Sequence, residues 1–193
     1  ILSRIIYGSR VSLVAGLAVV AIAGTFGAAI GMIAGFVGGR TDTLLMRWVD
    51  VHIAFPGLLI ALLIIAVMKP SLASVVMALS LNGWMVYARM VRSIVLSARE
   101  LPYVEAAEVI GCRPTRTIFR HILPNLAAPL LTLAVLEFAR IVLAEAALSF
   151  LGVGIQPPAI SWGLDVSGGR DYLFNGWWVI TFPGLAIAIT VLG

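Results

Sequence analysis

Long charge-free runs, separated by short polar connections, dominate this chain. Val11 to Gly39, Val51 to Met68, Pro70 to Ala88 and Tyr172 to Gly193 each approach or exceed the ~20 residues an apolar helix needs to cross roughly 30 Å of hydrocarbon. A further run, Ile122 to about Leu148, is apolar except for Glu137, Arg140 and Glu145. The pattern predicts an all-α polytopic membrane helix bundle of about five transmembrane helices in a single transmembrane domain, 1–193.

Between the third and fourth runs lies a segment of another kind. Pro102 suits a first helical turn, where its missing amide hydrogen has no partner anyway. Gly111 suits a left-handed C-terminal cap, and Pro114 follows just beyond. Tyr103, Val104, Ala107 and Ile110 fall on one side at helical spacing, and Glu105 and Glu108 share another. A nine-residue helix over Pro102 to Ile110 is too short to be stable alone, so it requires a docking surface. Lipid suits it poorly, because an acidic face meets an anionic leaflet.

Composition agrees with the spans. The 193 residues are 61% hydrophobic and 11% charged, with a mean hydropathy of +1.08, outside the range of soluble globular domains. The first run exceeds the hydrocarbon thickness and lacks a small-residue cleavage site, so it reads as a retained helix rather than a signal peptide. Its glycines at 27, 31, 35 and 39 recur every four residues and predict a ridge for close helix packing. Phe55-Pro56-Gly57-Leu58 recurs as Phe182-Pro183-Gly184-Leu185, and each proline invites a kink. The loop 149–171, rich in glycine, proline and apolar residues, predicts a re-entrant or membrane-surface segment. Trp162, Trp177 and Trp178 fit an interfacial aromatic belt.

Charge gives orientation. Arg89, Arg92, Arg99, Arg113, Arg116 and Arg120 cluster between the third and fourth spans, and Arg40 and Arg47 between the first and second. The positive-inside rule makes both connections cytoplasmic and puts the N-terminus and the loop 149–171 outside. The net charge of +4 then reflects topology and anionic lipid. No stacking aromatics interleave with the arginines, so nucleic acid is not an expected partner.

Candidate chemistry is sparse. Cys112 is the sole cysteine, so neither an internal disulfide nor a thiolate pair for a metal is available. The sole lysine, Lys69, lies outside any glycine-rich phosphate loop, so no ATP site can be drawn. No His-Glu-x-x-His or Gly-x-Ser-x-Gly motif supports an intramembrane enzyme. His52 reads as a proton relay or as an interfacial residue at a helix end. Glu137 and Arg140, three apart, can pair on a helix face, and Glu145 lies on nearly the same side without an obvious local partner. The three read as lining a substrate path or as a structural brace. They also support an alternative, an ion-coupled secondary transporter or channel, which leaves the cytoplasmic helix unexplained.

Glu105-Ala106-Ala107, Gly111 and His121-Ile122-Leu123-Pro124-Asn125 stand at the spacing of the EAA signature, which resembles that of ABC-importer permeases of the dipeptide, oligopeptide and nickel group. Leu148-Ser149-Phe150-Leu151-Gly152, Gln156-Pro157-Pro158 and Ser161-Trp162-Gly163 resemble that group's second permease subunit. The resemblance covers nearly the whole chain, which departs from the pattern by lacking an earlier N-terminal helix and a C-terminal tail, as a chain truncated at both ends would. It implies a single permease domain with a coupling segment, 100–125, whose part 100–121 is cytoplasmic, in a multi-pass protein of the plasma (inner) membrane. Tyr103, Glu105, Ala106, Ala107, Gly111, His121, Pro124 and Asn125 would couple to the ATPase. The implied partners are two ATPase subunits carrying ATP and Mg, a second homologous permease subunit, an extracytoplasmic substrate-binding protein and membrane lipid. The chain itself would hold no cofactor or metal and catalyse nothing. The cargo, whether dipeptide, oligopeptide, nickel or another small solute, is left open.

Overall fold

The computed structural model describes residues 1–112 and 114–193; the side chains of Glu105, Ala107, Glu108, Pro114, Thr115, Phe119 and His121 lie outside the described set. The order of elements is α1 (Leu2–Val37), α2 (Gly39–Ile53), α3 (Gly57–Met68), α4 (Leu72–Arg99), α5 (Pro102–Val109) and α6 (Pro114–Thr117). A π turn (Ile118–Ile122) then leads into α7 (Leu123–Phe150), followed by α8 (Trp162–Gly168), a 3₁₀ turn (Gly169–Tyr172) and α9 (Trp178–Leu192). The described residues are helical or irregular, with no strand among them, as expected.

Boundaries differ from the sequence expectation where proline and length decide. α1 begins at Leu2 and takes Arg4 and Arg10 into its first turns; its 36 residues reach about 54 Å at 1.5 Å per residue. The run 51–68 is not one helix. Pro56 is extended, with φ −60° and ψ 117°, so α2 ends before it and α3 begins after it. Pro183, in the same tetrapeptide, sits inside α9 without ending it. By length and hydropathy α1 and α7 each suffice to cross a membrane, and α2 with α3 makes a third span if the broken pair counts as one. The expected crossing 70–88 is helical from Leu72 on, as the first part of α4, where Ser74, Ser80 and Asn82 dilute the apolar run, and the last, 172–193, is α-helical only over the 15 residues of α9.

The chain packs as two compact units. The first comprises 1–21, 56–82 and 136–193; its core gathers Val19, Ala61, Ile65, Val75, Ala78, Leu79, Ile141, Leu148 and Ile155. Trp162 is 4% exposed, packs with Val142 and Ile187, and donates its indole N–H to the Ile5 carbonyl at 3.0 Å. It is therefore a core residue and not part of the aromatic belt, whereas Trp177 and Trp178 are open. The second unit, 22–55 and 83–135, is built on Trp84, Tyr87, Ala88, Val91 and Val95 of α4.

The glycine ridge of α1 meets α4 in this second unit. A Cβ at Gly27 would lie 2.1 Å from the Trp84 carbonyl oxygen, at Gly31 2.3 Å from that of Ala88, and at Gly35 2.9 Å from Val95. Gly39 does not belong to the ridge: nothing lies within 4 Å of its Cβ position, and its φ of +56°, beside +68° at Gly38, turns the chain between α1 and α2.

Backbone oxygens cannot step aside, so Gly31→Ala should destabilise the protein by roughly 1–3 kcal/mol, as overpacking does. Gly184→Ala, with open space at its Cβ, should leave the thermal midpoint in detergent unchanged or raise it. Equal midpoints for the two variants would refute the packing role of the ridge.

Candidate coupling segment and buried polar sites

α4 delivers the chain through Glu100 and Leu101 into α5, which runs Pro102–Val109, one residue short of the expected end. Gly111 takes the left-handed backbone expected of it, with φ 77° and open space at its Cβ position. The apolar side of α5 is divided. Val104 is 1% exposed and packs with Val91, Val95, Ala98, Ile122 and Leu126, so it seats α5 on its own subunit. Val109 and Ile110, at 87% and 79% exposed, are left without that cover. The docking surface that so short a helix requires is thus supplied in part by α4 and the start of α7.

Tyr103 and Asn125, far apart in sequence, meet: the Asn125 amide donates to the Tyr103 hydroxyl at 3.2 Å. Ala106 is exposed. Glu105, Ala107 and His121 lie outside the described residues as far as their side chains are concerned. Pro124 stands at the second residue of α7, immediately after the π turn. Its ring has no N–H and crowds the carbonyl four residues back, and a wider turn relieves that. The Leu123 amide accordingly bonds the Ile118 carbonyl, five residues back.

Arginines of α4 hold the α1–α2 corner. Arg92 grips Asp42 with both arms of its guanidinium, Nε to Oδ1 and Nη2 to Oδ2, the latter at 2.6 Å. Hydrogen bonding from Arg92 keeps the Asp42 carboxyl below its ordinary value of 3.8, against the opposing effect of burial, and the same bonding raises Arg92. Arg89 reaches Asp50 at 2.5 Å with both groups half-exposed, a pair of little energetic weight. Arg99 donates to the Gly35 carbonyl at 3.1 Å and lies over the Phe36 ring. His52 stacks edge-on to Trp84 at 5.8 Å, and its Nε2 and the Trp84 indole nitrogen are buried with no hydrogen-bond partner among the described residues.

In α7, Arg140 Nη1 lies 3.2 Å from Glu137 Oε1, the expected pair, with the guanidinium largely open and the carboxylate 6% exposed. Glu145 is 1% exposed, and its expected lack of a partner is corrected: Ser12 donates to it at 3.1 Å and Ser149 at 2.9 Å. Sequence reasoning missed both serines: Ser149, four residues on, stood at i,i+4 helical spacing, whereas Ser12 is 133 positions away and nothing local signals it. A second missed contact joins Arg4 to Asp165 at 2.6 Å. Among the described residues no group of three or more His, Cys, Asp or Glu is placed to hold a metal.

Residues 27–193 match the family described as binding-protein-dependent transport system inner membrane component. The chain belongs to that family. Family membership makes it a multi-pass component of the inner membrane. The relatives it resembles include a putative peptide transport system permease protein of Brucella suis biovar 1 (strain 1330), 47% identical over 98% of this chain and 64% of the relative. A di/tripeptide transport system permease protein of Pseudomonas aeruginosa (strain UCBPP-PA14) is 40% identical over all of this chain and 63% of the relative. A glutathione transport system permease protein of Pectobacterium atrosepticum is 37% identical over all of this chain and 64% of the relative. The chain thus spans about 64% of the length of the curated relatives it matches. An inward-facing crystal structure of the MetNI methionine ABC transporter superposes with a TM-score of 0.80 at 17% identity, over 99% of this chain and 91% of the other. At that identity it speaks for the fold, an all-α permease architecture.

The depressed Asp42 carboxyl carries a pH signature. A group that titrates lower when folded contributes stability in full above its unfolded value and loses it as pH falls through the folded one. The difference in thermal midpoint between the wild type and Asp42→Asn should therefore be constant from neutral pH down to about pH 4 and shrink below it. A difference that grows on acidification would contradict the pairing.

Proposed function

We propose that this chain is a transmembrane permease subunit of an ATP-driven, binding-protein-dependent importer for di- or oligopeptides, and that α5 is where it receives its energy. The observation that carries this reading is the build of α5: a short helix seated through Val104, with Ala106, Val109 and Ile110 uncovered and a left-handed glycine at its end. Such a helix is too short to hold itself, and its uncovered residues offer a surface to a second protein. The peptide and glutathione permeases among its relatives support the cargo class.

On this reading the groove of a soluble ATPase subunit covers the open side of α5. Two such subunits carry ATP and Mg, and this chain binds neither and catalyses nothing. A second homologous permease subunit completes the path, and an extracytoplasmic binding protein delivers cargo. By the arginine distribution, 100–121 is cytoplasmic, while the N-terminal end of α1 and the loop 149–171 face outward. Val104 packs against α4 and the start of α7 together, so a displacement of α5 moves both helices. Tyr103, Ala106, Gly111, Pro124 and Asn125 shape this joint, and Glu105, Ala107 and His121 complete the motif by sequence. Glu137 and Arg140 brace α7 as an ion pair one turn apart, with the carboxylate buried.

With Cys112→Ser as background, Ala106→Cys should cross-link to a co-purified ATPase subunit, and its absence under turnover would refute the coupling role. Gly111→Val should leave the complex assembled and hydrolysing ATP while transport into vesicles falls about tenfold or more, because a β-branched residue resists positive φ. Undiminished transport would count against the joint.

A further inference from the structure

A cavity of about 210 Å³ lies in the first unit beside the contact between Arg4 and Asp165. Those two residues, from α1 and α8, form its polar side, and Ile1, Val179 and Pro183 its apolar side. The ion pair within it is incomplete. Arg4 brings Nε, at 2.8 Å, and Nη2, at 2.6 Å, to the same carboxylate oxygen, Oδ1. Asp165 Oδ2 is buried with no hydrogen-bond partner among the described residues, in a side chain only 6% exposed.

A carboxylate carries lone pairs on both oxygens, and burying one of them without a donor is costly. A guanidinium commonly meets a carboxylate with two arms on two oxygens, as Arg92 meets Asp42. Arg4 does not, and at 59% exposed it keeps donors to spare. The cavity thus sets an acceptor that lacks a donor next to a cation open to an anion.

Its place in the fold indicates which molecule carries both charges. Val179 and Pro183 belong to the first two turns of α9, where the last apolar run becomes helical. Tyr172, which also lines the cavity, stands with Phe174, Trp177 and Trp178 just ahead of those turns, all four exposed, as aromatic side chains are at headgroup level. One position round the helix from Pro183, the exposed residues Phe182, Leu185 and Ile189 follow at helical spacing. An amphipathic cavity therefore stands where headgroups lie, with an apolar stripe leading away from it along α9.

We propose that this cavity binds the headgroup of an aminophospholipid of the phosphatidylethanolamine kind: Asp165 Oδ2 accepts from the primary ammonium, Arg4 meets the phosphate, and the acyl chains lie along the stripe of α9. An anionic lipid without an amine would leave Oδ2 unsatisfied.

Native mass spectrometry on the full-length protein, extracted with its associated subunits and exposed to equal amounts of phosphatidylethanolamine and phosphatidylcholine with the same acyl chains, tests the site. Phosphatidylcholine offers the same phosphate and chains, but its trimethylated nitrogen has no hydrogen to give. The wild type should retain phosphatidylethanolamine about tenfold or more over phosphatidylcholine, as a hydrogen bond to a charged acceptor predicts. Asp165→Asn keeps an oxygen for Arg4 and turns the free position into a donor, so the ratio should fall to about one. Gly168→Leu leaves the ion pair intact and adds a side chain at a lining position whose Cβ position is open; it should abolish the preference as well. Equal retention of the two lipids by the wild type, or a preference that survives either variant, would overturn the site. Loss of the bound lipid to an excess of dialanine, an ammonium from another source, would assign the cavity to a peptide and overturn the lipid reading. Lipid retention requires neither ATPase nor binding protein, so a failure here would leave the importer reading untouched.

Discussion

Backbone hydrogen bonding in a medium without water governs this structure. Hydrocarbon offers no partner to a free N–H or C=O, so helices supply their own and every departure from helix must be repaired by protein. The chain departs in a few places, and each repair is identifiable. At Pro56 the helix stops and restarts. Ahead of Pro124 the turn widens so that the Leu123 amide reaches five residues back. After α7 the amides of Val153 and Gly154 return to the Leu148 carbonyl, and those of Ile155 and Trp162 find serine oxygens.

Polar side chains follow the same logic. In the second unit the arginines of α4 fasten the corner between α1 and α2 by gripping Asp42 and the carbonyl of Gly35. That corner needs two consecutive glycines at positive φ. In the first unit Glu145 serves as a buried acceptor that collects hydroxyl protons. Charge is thus spent where backbone geometry alone would leave a joint loose.

The short helix α5 is held on one side by its own chain and open on the other. Val104 anchors it to α4 and α7, and Val109 and Ile110 stay open. A helix fully buried on its own bundle would not respond to a partner, and one fully exposed would not fold. The intermediate arrangement leaves α5 anchored and partly open, which is what the proposed coupling role asks of it.

Much of this was legible in one dimension. Composition and charge-free runs required a helical membrane protein, Pro102 and Gly111 bracketed the short helix, and the EAA-like spacing pointed to the family, because all three rest on local patterns. Single-residue geometry was legible too: Gly111 takes the left-handed turn its position implied. What the sequence could not express was contact at long range. Identical Phe-Pro-Gly-Leu tetrapeptides end a helix at Pro56 and ride inside one at Pro183, because packing around each site decides whether the lost hydrogen bond matters. Trp162 looked like a belt residue and is core, since the Ile5 carbonyl, 157 positions away, takes its indole proton. Of the two partners of Glu145, Ser149 stands one turn along the same helix, but Ser12 reaches it only once α1 and α7 lie together. The sequence determined which segments are helical and which medium they occupy, through terms that act within a few residues; the tertiary structure alone decided which polar atoms meet, because that depends on how helices are brought side by side.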